Sequence, residues 1–197
     1  MKNFDYPSYV EDLDKKNKLS VDFGFIFNII LVLIMILAII SRMFFFSPVK
    51  VSGNSMYGTL EDGDFLIFLN TQEVQKQDIV AFDSPLNPEE KFVKRVIATA
   101  GDTVEYKGDK LYVNGEFVPE PYLDGNKKML EQTTDTQLTP DFTLETLEST
   151  GTTTVPDGKV FVMGDNRKNS TDSRIFGFID AENILGKYLI EPLGFME

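Results

Sequence analysis

Ser55 stands in the stretch VSGNSMYGTL, residues 51–60, among small and amide side chains. A serine hydroxyl becomes a nucleophile when a neighbouring base takes its proton. The chain contains no histidine and no cysteine. Thiol nucleophiles, disulfides and cysteine-based metal sites are therefore excluded, and the base must be Lys, Asp, Glu or an N-terminal amine. Lysine fits the physics, because burial disfavours its charged form and lowers its pKa. FVKRVIATAGD, residues 92–102, holds the candidate. In a strand, Phe92, Lys94 and Val96 share one face while Val93, Arg95 and Ile97 share the other. Lys94 then projects among apolar neighbours; an exposed edge-strand lysine is the alternative reading of this segment. A third stretch, VMGDNRKNSTDSRIFGFI at residues 162–179, gathers Gly164, Asp165, Asn166, Arg167, Asn169, Ser170, Asp172, Ser173 and Arg174 between two apolar runs. Such a density of hydrogen-bonding groups makes either a turn network or the surroundings that position an active site.

Residues 23–41, FGFIFNIILVLIMILAIIS, are free of charge and lie between Asp22 and Arg42. That length just spans a hydrocarbon core of about 30 Å. A buried core helix would show polar residues at helical spacing, and only Asn28 is present. A cleaved leader would show a small-x-small site, which IISRMFFF lacks. An uncleaved anchor over residues 22–43 is expected. Lys2, Lys15, Lys16 and Lys18 outnumber Arg42 and Lys50, so the positive-inside rule puts the tail, residues 1–21, in the cytoplasm and residues 44–197 outside it. A short amphipathic turn is expected around residues 6–13. The net charge is −12. Such a surface repels nucleic-acid phosphates and anionic headgroups alike, so membrane lipid is met through the apolar segment alone.

Beyond residue 46 the pattern is of short β-rich runs separated by turn residues: FLIFLN, DIVAF, KFVKRVIA, GKVFVMG and NILGKYLIE. DTVEYKGDKLYVNGEFV reads as a meander, turning at residues 107–109 and at Asn114-Gly115. No long amphipathic helix follows the anchor, so a mostly β domain is expected, with hydrophobic residues at 42% of the chain to fill its core. Residues 120–155 are rich in Thr, Asp and Glu, and read as a loosely packed surface insertion. The three phenylalanines at 44–46 suit either a membrane interface or the start of a core strand.

These blocks resemble those of the type I signal peptidases, membrane-bound Ser-Lys serine proteases that remove signal peptides from exported preproteins. SGNSM is similar to the family's nucleophile box, VKRVI with its following GD to the lysine box, and GDNRKNSTDSRIFG to the most distinctive box. The short size and single anchor resemble Gram-positive members. The resemblance implies a β-rich signal-peptidase-like catalytic domain, Ser55 as nucleophile, Lys94 as general base, and Ser170 as a hydrogen-bond partner that orients the amine. It makes Asp172, Arg174 and Arg95 a supporting charge network, and places Met56 beside the substrate groove. It implies signal peptides as partners and no cofactor or metal. Three positions depart from the pattern. Gly58 replaces the proline of Ser-Met-x-Pro-Thr, ATAGD replaces Gly-x-Pro-Gly-Asp, and Gly53 stands where some members carry an oxyanion-binding serine, which leaves backbone N–H groups for that task. Two other readings compete. One is a membrane-tethered non-catalytic β module, or an inactive relative, that binds surface partners. The other is a processing peptidase for narrower clients such as pilin-type precursors. Sortase-like transpeptidation needs cysteine and is excluded.

Overall fold

A computed structural model describes residues 23–132 and 137–190. The chain divides into two units, Met1–Met43 and Phe44–Glu197. In the first, the described residues form helix α1 (Phe23–Phe45), which ends just past the boundary. Its window Phe23–Arg42 is long and apolar enough to cross a membrane, and none of that window is buried. The turn expected at residues 6–13 lies outside the described residues.

The second unit is built on two antiparallel sheets. The larger has seven strands in the order β1 (Phe46–Lys50), β2 (Phe65–Leu69), β11 (Ile184–Ile190), β3 (Ile79–Asp83), β4 (Lys91–Thr99), β9 (Lys159–Met163) and β10 (Ile179–Asp180). The smaller has the order β7 (Glu116–Val118), β6 (Lys110–Val113), β5 (Val104–Lys107) and β8 (Phe142–Thr143). Each β-rich run of the sequence forms one of these strands. The meander is β5–β6–β7, and its two turns hold Gly108, Asp109, Asn114 and Gly115 all at positive φ. That is the backbone twist a two-residue hairpin requires. The fold is therefore mostly β, preceded by one apolar helix. Of the three phenylalanines, Phe44 and Phe45 close the helix and Phe46 opens β1.

Alternation along β3, β4 and β9 buries side chains on both faces of the larger sheet. Val80, Phe82, Val96 and Val162 pack together on one side. Ile97, Phe161 and Met163 pack with Tyr106 and Leu111 of the smaller sheet on the other. Met56, Leu60, Leu66 and Val93 form a further cluster beneath the turn that carries Ser55.

Residues 120–155 depart from the expected loose packing. Leu123, Leu138, Leu144 and Val155 are buried, a short helix α2 (Asp124–Glu131) forms, and β8 joins the smaller sheet. Low hydrophobicity hid this, because a few leucines and one ion pair do the anchoring. Glu120 Oε1 lies 2.6 Å from Arg167 Nη2 with both side chains buried. The hydroxyls of Tyr106 and Tyr122 both donate to Glu120 at 2.7 Å. The Arg167 Nε–H donates to Gly164 O at 3.1 Å. The insertion is thereby pinned to the loop after β9.

Breaking a buried pair strands a charge at a cost of about 3–5 kcal/mol, whereas replacing both partners is nearly neutral. Arg167→Met should lower the unfolding free energy of a fragment starting near Phe46, read from its urea transition, by an amount of that size. Adding Glu120→Gln should recover much of it. Unchanged midpoints would show that the pair does not anchor the insertion.

Candidate active site

The turn bearing Ser55 is held from several sides. The Asn166 N–H donates to Ser55 O at 3.0 Å, and Asn166 Nδ2 donates to Asn54 O at 2.9 Å. The Thr59 hydroxyl donates to Asp165 Oδ2 at 2.6 Å. Asp165 also receives Arg95 in a fork, Nε to Oδ1 at 3.0 Å and Nη2 to Oδ2 at 2.6 Å. Asp165 thus ties strand β4, through the neighbour of Lys94, to the turn that carries Ser55. Gly164 must be glycine: a Cβ there would run into Ser55 O and Ser170 Oγ.

Within this frame Lys94 Nζ lies 2.6 Å from Ser55 Oγ, and it donates to Val93 O at 3.2 Å. Lys94 is 2% exposed, so the edge-strand reading fails. The Phe92 ring centroid stands 4.9 Å from its amine. Burial lowers the Lys94 pKa to about 8, against Asp172 and Asp165, which both act to raise it. The consequence is large. At pH 7.5 an ordinary lysine is neutral about once in a thousand molecules, whereas a pKa of about 8 leaves roughly a quarter neutral. A neutral amine at this distance can take the serine proton.

Both carboxylates that oppose this are occupied by arginines. Arg95 binds Asp165, and Arg174 Nη2 lies 2.7 Å from Asp172 Oδ2. Asp172 also accepts from the Gly164 N–H at 3.0 Å and caps helix α3 (Ser173–Phe176). The expected single network of Asp172, Arg174 and Arg95 is instead two pairs. Arg95 points away from Lys94 across the sheet and meets Asp165, which the sequence reading left without a role. A buried arginine on the face opposite the base needs a carboxylate, and that requirement was the signal that could have found it.

Ser55, Met56, Phe92, Lys94 and Ser170 line one groove of about 400 Å³. Ser170 does not hold the amine as expected. Its hydroxyl is buried without a hydrogen-bond partner among the described residues, close against Gly164, while the amine is engaged by Ser55 and Val93. Met56 is buried and packs into the cluster below the groove. The Gly53 N–H is committed to Asp62 Oδ1 at 2.7 Å, so it is not a ready donor to an oxyanion. Gly58 is more than a missing proline. Its φ is +99°, whereas proline is locked near −65°, so the turn here follows a path that proline could not take. The loop ATAGD is fixed by Asp102, which accepts from the Thr99 N–H and from Asn114 Nδ2. Among the described residues no group of three or more acidic side chains stands ready to hold a metal.

Residues 25–191 match the family model described as signal peptidase, peptidase S26. Signal peptidase I of Bacillus caldolyticus is 48% identical over 150 residues, 74% of this chain and 79% of its own. Signal peptidase I S of Bacillus subtilis is 41% identical over 84% of this chain and 88% of its own. The crystal structure of a signal peptidase I from Enterococcus faecalis superposes with a TM-score of 0.56 at 46% identity, over 58% of this chain and 96% of that one.

An arginine that neutralises Asp172 also keeps its field from recharging Lys94. The rate at which a small activated ester acylates Ser55, followed by mass spectrometry, should rise with pH through about 8. In folded Arg174→Ala the unpaired carboxylate favours the ammonium, so the midpoint should move up by about half a unit or more. A midpoint unchanged or lowered would contradict the role given to the pair.

Proposed function

The chain belongs to the signal peptidase S26 family and is a serine peptidase that cleaves signal peptides; on that premise we propose that Ser55 and Lys94 form its catalytic dyad. The observation that carries the reading is the contact of 2.6 Å between a serine hydroxyl and a buried lysine amine.

In this mechanism the neutral Lys94 amine takes the Ser55 proton as Oγ attacks the scissile carbonyl. The tetrahedral oxyanion accepts hydrogen bonds from backbone N–H groups, that of Ser55 among them. Collapse breaks the peptide bond, and the Lys94 ammonium returns its proton to the departing amine of the mature protein. Ser55 is left as an ester of the signal peptide. Lys94, neutral again, removes a proton from water. The resulting hydroxide attacks the ester, and the second collapse returns that proton to Ser55 Oγ and frees the signal-peptide carboxylate. Once Ser55 is esterified the amine has lost one partner, and the hydroxyl of Ser170, unpaired among the described residues, supplies another. Asp172, Arg174 and Arg95 act by position and charge. The groove beside Phe92 and Met56 takes the small side chains that precede the cleavage point.

Helix α1 serves as a membrane anchor, with the tail cytoplasmic and residues 44–197 outside. Substrate and enzyme then share one plane, which raises their effective concentration. The Lys residues of the tail support that orientation.

Cleavage of a preprotein by wild type, with loss in Ser55→Ala and in Lys94→Met, is the test. Lys94→Met should also be more stable than wild type at pH 6–7. The folded pKa of about 8 lies below the ordinary 10.5, so burying the ammonium costs about 3 kcal/mol below pH 8. That cost is relieved as the pH rises from about 8 to 10.5, since only the unfolded chain then holds the proton. The advantage of Lys94→Met should shrink across that window. Retained cleavage in either variant would overturn the dyad.

A further inference from the structure

The stretch 120–155 carries no motif, yet one of its residues reaches the turn that carries the nucleophile. Asn126, on α2, is 7% exposed. Its Nδ2 donates to Tyr57 O at 2.9 Å and to Asp165 O at 3.1 Å. Both partners are carbonyls, which only accept, so the side-chain amide can face them in one orientation alone. The two carbonyls belong to the two segments that must stay in register. Tyr57 follows Ser55 by two residues, and Asp165 precedes Asn166, whose N–H donates to Ser55 O. Gly58 explains how the amide fits. A Cβ at that position would stand 2.8 Å from both Nδ2 and Oδ1 of Asn126. The glycine leaves room for this side chain.

We propose that Asn126 is a positioning residue for the nucleophile, its amide clamping the Tyr57 and Asp165 carbonyls so that Ser55 Oγ stays at the Lys94 amine. This rests on the reading of Ser55 and Lys94 as the dyad. The insertion is then part of the catalytic apparatus. Loss of the clamp lets the turn drift, and a displacement of about an ångström at a reacting atom costs up to about a hundredfold in rate. The wall of the groove on β4, Phe92 among its residues, does not depend on the clamp, so the loss falls on kcat more than on KM.

The test uses the full chain in detergent and a soluble signal-peptide substrate, with activity normalised to the folded fraction. Asn126→Asp keeps the volume and removes both donated bonds. Its kcat should fall about ten- to a hundredfold, with KM within about twofold. Lys127→Ala removes a bond from the same helix to Asp109 O, which touches neither segment, and should keep the wild-type kcat. An Asn126→Asp enzyme with wild-type kcat, a loss confined to KM, or an equal loss in Lys127→Ala would each overturn the clamp. Should Asn126→Asp not fold, Asn126→Ser carries the test. A kcat down at least about threefold at unchanged KM supports the clamp, and wild-type kcat refutes it. Wild type inert on the substrate, or Ser55→Ala still active, would instead sink the dyad and take the clamp with it.

Discussion

A lysine proposed as a base has to be kept out of water and still stay close to its serine, and most of this site fits that demand. Desolvation is what lowers the pKa of Lys94 to about 8. It requires a strand buried on both faces, which is why β4 lies well inside the larger sheet, flanked by β3 and β9. It also requires an apolar neighbour over the amine, which Phe92 provides. The same burial makes the site costly to fold. Rate is obtained here at the expense of stability, a common exchange in active sites.

Carboxylates complicate the arrangement. Asp165 and Asp172 hold the loops around Ser55, yet their charges act to keep Lys94 protonated. Pairing each with an arginine reconciles the two roles. Asp165 keeps its hold on Thr59 while Arg95 balances its charge. Asp172 keeps its cap on α3 and its bond to the Gly164 N–H while Arg174 balances its charge. The arginines are therefore structural and electrostatic at once, and neither touches the reacting atoms.

The sequence made the strands, the hairpin turns and the candidate Ser55 and Lys94 legible, because periodicity and turn chemistry are local and because the absence of histidine and cysteine narrows the base. Partnerships across the fold were not legible. Nothing near Arg95 names Asp165, seventy positions away. Asn126 lies in a stretch whose composition reads as solvated, and its burial depends on two carbonyls that only the folded chain brings together. Gly58 read as a lost proline because its positive φ and its neighbour are both tertiary facts. The resemblance assigns Ser170 to the amine, while packing against Gly164 places its hydroxyl beside the groove without a partner among the described residues.

The most direct test of a neutral buried base is to watch it titrate. With lysines labelled at Cε with carbon-13, and the Lys94 signal identified by its loss in Lys94→Met, the chemical shift can be followed by NMR from pH 6 to 11 in the folded protein. A Lys94 amine held out of water should titrate with a midpoint near 8. A midpoint near ~10.4, that of a solvated lysine, would mean that Lys94 stays charged at working pH and cannot be the base.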